Sequence, residues 1–178
     1  MISRFLAKSI LTLSCINVTL ILTGCSVPQY DSQTDQLITS LQTDTDSLLV
    51  HLISLDQQIA SLSGKTDKTS IAALAVARSS ASYASNSSSY NKINVDFLAL
   101  KTRVDAEPNA STNHLDKALQ DISDNLFGSG SLENQHMADN VLSAAYLTPE
   151  QKILDAQFSV LLTYELVLKS GSSSSTTN

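Results

Sequence analysis

Tryptophan is absent from the 178 residues, and tyrosine and phenylalanine number only 5 and 4. A polysaccharide groove built from stacked rings is therefore disfavoured. Glycine (5) and proline (3) are scarce. An all-β chain needs a tight turn every eight to twelve residues or so, and this chain lacks the residues for them; long helices are permitted. Basic residues are outnumbered 11 to 17, for a net charge of -6. An acidic surface repels phosphate backbones, so nucleic acid is not an expected partner. The hydrophobic content of 42% is too high for a chain disordered by composition.

What is present begins with a segment of distinct character. Arg4 and Lys8 are followed by a stretch without charge from Ser9 to Tyr30. Its apolar part, residues 10–22, falls short of the ~20 residues of a transmembrane helix and is interrupted by Asn17 and Thr19. It has the form of a signal-peptide hydrophobic region. The stretch ends in Leu22-Thr23-Gly24-Cys25: an aliphatic residue, two small ones, then cysteine. This resembles the lipobox of bacterial lipoproteins. The resemblance implies diacylglycerol on the Cys25 thiol and a signal-peptidase II cut before it. Cys15, the other cysteine, follows Thr12-Leu13-Ser14 and lacks the aliphatic residue three positions before it. It is expected to leave with residues 1–24. The 154 residues that remain carry nine basic and 17 acidic side chains, a balance of -8. Their one cysteine is blocked by lipid, so disulfides, thiol nucleophiles and cysteine-ligated metals drop out. Ser26, where enteric lipoproteins kept at the inner membrane have Asp, resembles the outer-membrane-sorted members. Residues 25–30 then form a lipidated tether.

From Asp31 to Leu62 apolar residues recur at helical spacing. Ile38, Thr45, Leu52 and Ile59 are seven apart, and Leu41, Leu48, Leu55 and Leu62 repeat three residues later. Such a helix is roughly 48 Å long. Leu49, Val50 and Ile53 fall off this seam, which argues for burial among several helices over a two-stranded coil. Gly64 is a candidate helix stop, and Thr66 or Asp67 the next cap. One helix over about 67–105 is expected, with a break near 86–89 as the alternative. Tyr90, Ile93, Phe97, Leu100 and Val104 carry its apolar face, onto which Tyr83 and Val76 extrapolate. Glu107-Pro108-Asn109 ends it. Leu115, Leu119, Ile122 and Leu126 mark a further helix, broken at Gly128-Ser129-Gly130. Ser131 caps a short helix to about Tyr146. Thr148-Pro149-Glu150-Gln151 has the form of a capping box, and opens a last helix to about Lys169. The Ser/Thr-rich residues 170–178 are expected to be disordered. The expected fold is all-α: an antiparallel bundle of about four long helices, one of them interrupted, over residues 31–169.

No candidate chemistry survives at the level of sequence. Glu133-x-x-His136 is half of a di-iron bundle motif, but the residues three before His51 and His114 are Leu48 and Ser111. Chance spacing on a solvated helix is the expectation for it. His136 and Met137 are adjacent, so they point about 100° apart on a helix and cannot ligate one haem. His51 is expected at the core or its edge. Asp44 and Asp46 lie two apart and on different faces, unlike a local acid/base pair. No serine sits in Gly-x-Ser-x-Gly, and Gly128-Ser129-Gly130 lacks the Gly-Lys-Ser/Thr of a phosphate loop. The expectation is no catalytic residue, no metal site and no cofactor, with Cys25 as the lipid attachment residue.

The lipobox, Ser26 and the early heptads together resemble murein-lipoprotein-like envelope proteins. The likeness covers about residues 1–62. Their peptidoglycan-linking C-terminal lysine is missing, since the chain ends Ser175-Thr176-Thr177-Asn178. The expected function is a lipid-anchored, non-enzymatic binding or scaffold protein on the periplasmic side or the surface of the outer membrane. Its expected partners are the membrane, through Cys25, and another envelope protein. The alternative is a bundle holding a small apolar ligand or lipid near Leu49, Val50 and Ile53.

Overall fold

A computed structural model describes residues 30–106 and 114–174, without the side chains of His114 and residues 172–174. The lipobox with Cys25, residues 26–29 of the tether and residues 175–178 lie outside the described residues.

Asp31 starts the first helix: its carboxylate accepts the Gln33 N–H at 3.0 Å and the Thr34 hydroxyl at 2.9 Å. Helix α1, Ser32–Leu62, follows for 31 residues, about 46 Å at the α-helical rise. Ile38, Leu41, Leu48, Leu52 and Leu55 are buried along it, as the seven-residue spacing predicts. Thr45 occupies the polar step of that seam at no cost in unpaired groups, because its hydroxyl donates to the Leu41 carbonyl at 2.8 Å. The off-seam residues divide. Leu49 is core, Ile53 is half-buried, and Val50 stands 56% exposed. His51 is exposed as well, not at the core.

Gly64, at φ 84°, turns the chain, and the Asp67 side chain caps α2, Lys68–Ser80, by accepting the Ser70 N–H. The second rod is broken at Ala81–Ser82 and resumes as α3, Tyr83–Ala106. The break lies before the expected alternative at 86–89, and it resets the helical phase. Val76, extrapolated to the core face, is 67% exposed, and Ala77 is buried in its place. Beyond the break Tyr90, Ile93, Phe97, Leu100 and Val104 line the core as their spacing demands. Helix α4, His114–Phe127, buries Leu115, Leu119, Ile122 and Leu126. Gly130, at φ 77°, and the Ser131 cap then lead into α5, Leu132–Asp139.

Three boundaries differ from the sequence expectation. The short helix ends at Asp139, not near Tyr146, because Asn140 adopts the left-handed conformation at φ 60°. The last helix, α6, spans Ala144–Ser174, starting before the apparent capping box and passing Lys169 into the Ser-rich segment. Its true start is fixed from a distance. The Asp56 carboxylate accepts the Ala144 N–H at 2.7 Å, and the Ser143 hydroxyl accepts that of Tyr146. Pro149 is thereby placed inside the helix, where it forfeits one backbone bond and the chain continues.

Among the described residues, the six helices make four antiparallel rods. α1 lies between α2/α3 and α6, and α4 closes the ring against α3 and α6. Lys92–Asp44 and Arg103–Asp31 pair α3 with α1, and Lys101 reaches Asp105 and Asp116. These exposed pairs fix register more than they add stability. Lys169 lies 5.3 Å over the ring of Tyr30, so the start of α1 and the end of α6 share one end of the bundle. Among the described residues, no helix is long and apolar enough to cross a membrane.

Candidate functional site

The densest polar arrangement surrounds the break in the second rod. A helix end leaves carbonyl groups unpaired, and here they are enclosed by protein, so each needs a donor. Asn86, one turn into α3, donates its Nδ2 to the carbonyls of Ser80 (2.8 Å) and Ser82 (2.9 Å). His136, from α5, puts its Nε2 at 2.9 Å from the Ala81 carbonyl. A carbonyl only accepts, so Nε2 carries the proton. Nδ1 is then the acceptor for the Tyr90 hydroxyl at 3.0 Å. The imidazole is neutral, consistent with burial holding its pKa below the usual value. Burial likewise pushes the Tyr90 hydroxyl upward.

Beside this pair, Tyr83 donates its hydroxyl to Glu133 Oε1 at 2.9 Å, a bond that raises the phenol's pKa. The rings of Tyr83, Tyr90 and His136 form a triangle with centroids 5.7 Å apart on every side. The Tyr83 N–H donates to the Asn140 carbonyl at 3.1 Å, binding the end of α5 to the start of α3. Glu133 and His136 are therefore not placed by chance on a solvated helix: His136 is fully buried, and each has a partner across the break. With both ring nitrogens committed, the imidazole has no lone pair left for a metal. Among the described residues no group of three His, Cys, Asp or Glu side chains is placed to hold one.

The remaining candidates scatter. Asp44 joins Lys92 on the α3 side of α1, whereas Asp46 faces Asp155 on α6. Asp46 is half-buried, with its Oδ1 enclosed and lacking a hydrogen-bond partner. Burial and the neighbouring Asp155 charge push its carboxyl up to about 6. His51 lines an open groove of about 220 Å³ between α1 and α3 with Asp44, Ser47, Leu48, Ser89 and Lys92. In this groove the one cationic side chain is already neutralised by Asp44 and Asp96.

No family model, curated protein or solved structure matches the chain. The functional reading therefore rests on its own residues. Sequence reasoning missed the Tyr83–Tyr90–Glu133–His136 node, although Glu133 and His136 carried its signal as one turn of spacing. The tyrosines that complete it lie 46 and 50 residues away in the chain.

Proposed function

We propose that this chain is a lipid-anchored helical protein of the bacterial cell envelope, serving as a non-enzymatic binding or scaffold module. One observation carries the reading: Leu22-Thr23-Gly24-Cys25 closes a short apolar segment that follows Arg4 and Lys8, five residues ahead of Tyr30. The position of the bundle supports it. The Tyr30 hydroxyl is held by Asp35 at 3.0 Å and its ring by Lys169, so the chain is already packed against the bundle five residues after Cys25. Residues 26–30 reach at most ~17 Å, which keeps the bundle close to the bilayer surface. Ser26 favours the outer membrane by the lipoprotein sorting pattern. Three acyl chains, usual for such proteins, hold firmly where a single chain does not.

The bundle would present a helical surface to another envelope protein. Two of its buried polar side chains, Asn86 and His136, hold the carbonyls of one helix break in shape, a use suited to a rigid support. The apolar-ligand alternative has less support: Leu49 is packed into the core, Val50 is exposed and Ile53 is half-buried, so the three residues that motivate it differ in burial.

Intact mass of the membrane-extracted protein tests the anchor. The expected species starts at Cys25 and carries acyl chains, with labelled palmitate entering the wild type and not Cys25→Ala. A mature N-terminus elsewhere, or a free Cys25 thiol, overturns the reading. Crosslinking in intact cells tests the scaffold role, which fails if no envelope protein is recovered.

A further inference from the structure

Helix α6 carries an outer face unlike the rest of this acidic chain. Between Lys152 and Lys169 its charged residues are Asp155 and Glu165, and both turn inward. Asp155 faces Asp46, and Glu165 is buried. The outward positions hold Ile153, Val160, Leu166 and Val167, the last three 54, 64 and 62% exposed, with small or hydroxyl residues between them. Ile153, Val160 and Val167 are seven apart, so they stack along one stripe of a helix whose opposite stripe, Leu154, Phe158 and Leu161, is already in the core. The stripe spans about 21 Å at the α-helical rise.

The chain's course says what covers this face. Tyr30, five residues after Cys25, sits at the Lys169 end of α6. Leu166 and Val167 stand within one turn of that point. We infer that the uncharged outer face of α6 lies against the lipid surface, so that the bundle rests on its membrane side-on instead of floating above it on a tether. This rests on the lipid-anchor reading: acylated Cys25, at most ~17 Å of chain from Tyr30, holds the stripe within reach of the bilayer at an effectively high concentration. Valine, leucine and isoleucine enter the acyl boundary, the flanking Ser159, Thr163 and Ser170 meet headgroups, and no carboxylate of α6 between Lys152 and Lys169 is pressed against lipid. The other flank of α1, formed by α3, then faces away from the membrane and is left for a protein partner.

The chain's lack of tryptophan makes the test direct. Val160→Trp and, in a second variant, Val167→Trp place single fluorophores on the stripe. Val95→Trp, on exposed α3, is the control. Each full-length protein is extracted from cells, its acylation read by intact mass, and reconstituted into phosphatidylcholine vesicles with or without brominated acyl chains. Emission from positions 160 and 167 is expected to shift to the blue and to be quenched by the brominated lipid, while position 95 does neither. Acylated protein with unquenched tryptophan at 160 and 167 overturns side-on docking and leaves the anchor standing. Unacylated protein that is still quenched by added vesicles supports docking and removes the anchor alone; unacylated and unquenched protein overturns both. A blue shift that grows with protein concentration and is indifferent to bromine assigns the face to a second copy of the chain, and overturns the inference.

Discussion

Replacing Asp46 by Asn should make the protein more stable at neutral pH, although it removes a charge from a long helix. Asp46 on α1 faces Asp155 on α6, has one oxygen enclosed without a hydrogen-bond partner, and titrates at about 6 instead of 3.8. A folded-state pKa raised in this way means that the native state binds more protons than the unfolded chain. The stabilisation from the shared proton is fully present below pH 3.8 and is lost as pH rises through about 6. At 1.36 kcal/mol per unit, the full shift corresponds to a ceiling of about 3 kcal/mol at pH 7. The carboxyl is half-exposed and the repulsion is screened by solvent, so about 1 kcal/mol is the working figure. Asn keeps the size of the side chain, donates an N–H to Asp155, and removes the like charge. Urea denaturation of the chain from Ser26 onward, between pH 3.5 and 8, reads the effect. The Asp46→Asn variant should exceed wild type by ~1 kcal/mol at pH 7, or roughly 2–4 °C in melting temperature. The advantage should vanish at the acid end. Taking the difference between the two proteins cancels His136 and every other group that titrates in both. A variant that is less stable at pH 7, or a difference that does not vary with pH, refutes the carboxyl pairing.

The break in the second rod gives three more outcomes. Tyr90→Phe leaves His136 Nδ1 buried without its donor and should cost about 1–2 kcal/mol in the same denaturation assay. His136 has a depressed folded pKa, so its contribution is present above its unfolded value of 6.5 and is lost as pH falls. His136→Leu should flatten that acid-side loss while costing ~2–4 kcal/mol at pH 7, because the Ala81 carbonyl and the Tyr90 hydroxyl lose their partner. Asn140→Gly should be neutral or slightly stabilising, and Asn140→Ala should cost about 1 kcal/mol, since Asn140 sits at φ 60°. Thermal melts followed by circular dichroism at 222 nm check the Asn140 pair.

The bundle itself was legible because burial follows a three-four spacing that local sequence records. Ile38 to Leu55, Tyr90 to Val104 and Leu115 to Leu126 went inward as read. Where the reading failed, a distant residue had decided the matter. Thr148-Pro149-Glu150-Gln151 has the composition of a helix start, yet Asp56, 88 residues earlier, takes the Ala144 N–H and begins the helix sooner. The uncharged run at 79–89 admits a break anywhere along its length. The break falls at Ala81 because His136 arrives to hold that carbonyl, while Asn86, inside the run, holds those of Ser80 and Ser82. Exposure on flanks was equally illegible: Leu49 and Val50 are apolar neighbours, separated by the 100° between successive helical positions.

The bond from His136 to the Ala81 carbonyl closes a loop of 55 residues, and that from Ala144 to Asp56 one of 88. Closing such loops costs chain entropy before any contact returns it, so neither bond belongs to the earliest steps of folding. α1 can pair with α2 through the turn at residues 63–67 alone. Until α5 arrives, the Ala81 carbonyl must be served by water, and a continuous helix across residues 80–83 competes with the broken one. The arrival of α5 decides between these two forms of the second rod. Refolding followed by an environment-sensitive probe at Tyr83 should therefore lag behind the bulk gain of helicity, and mutations at His136 should mainly hasten unfolding while leaving the folding rate nearly unchanged.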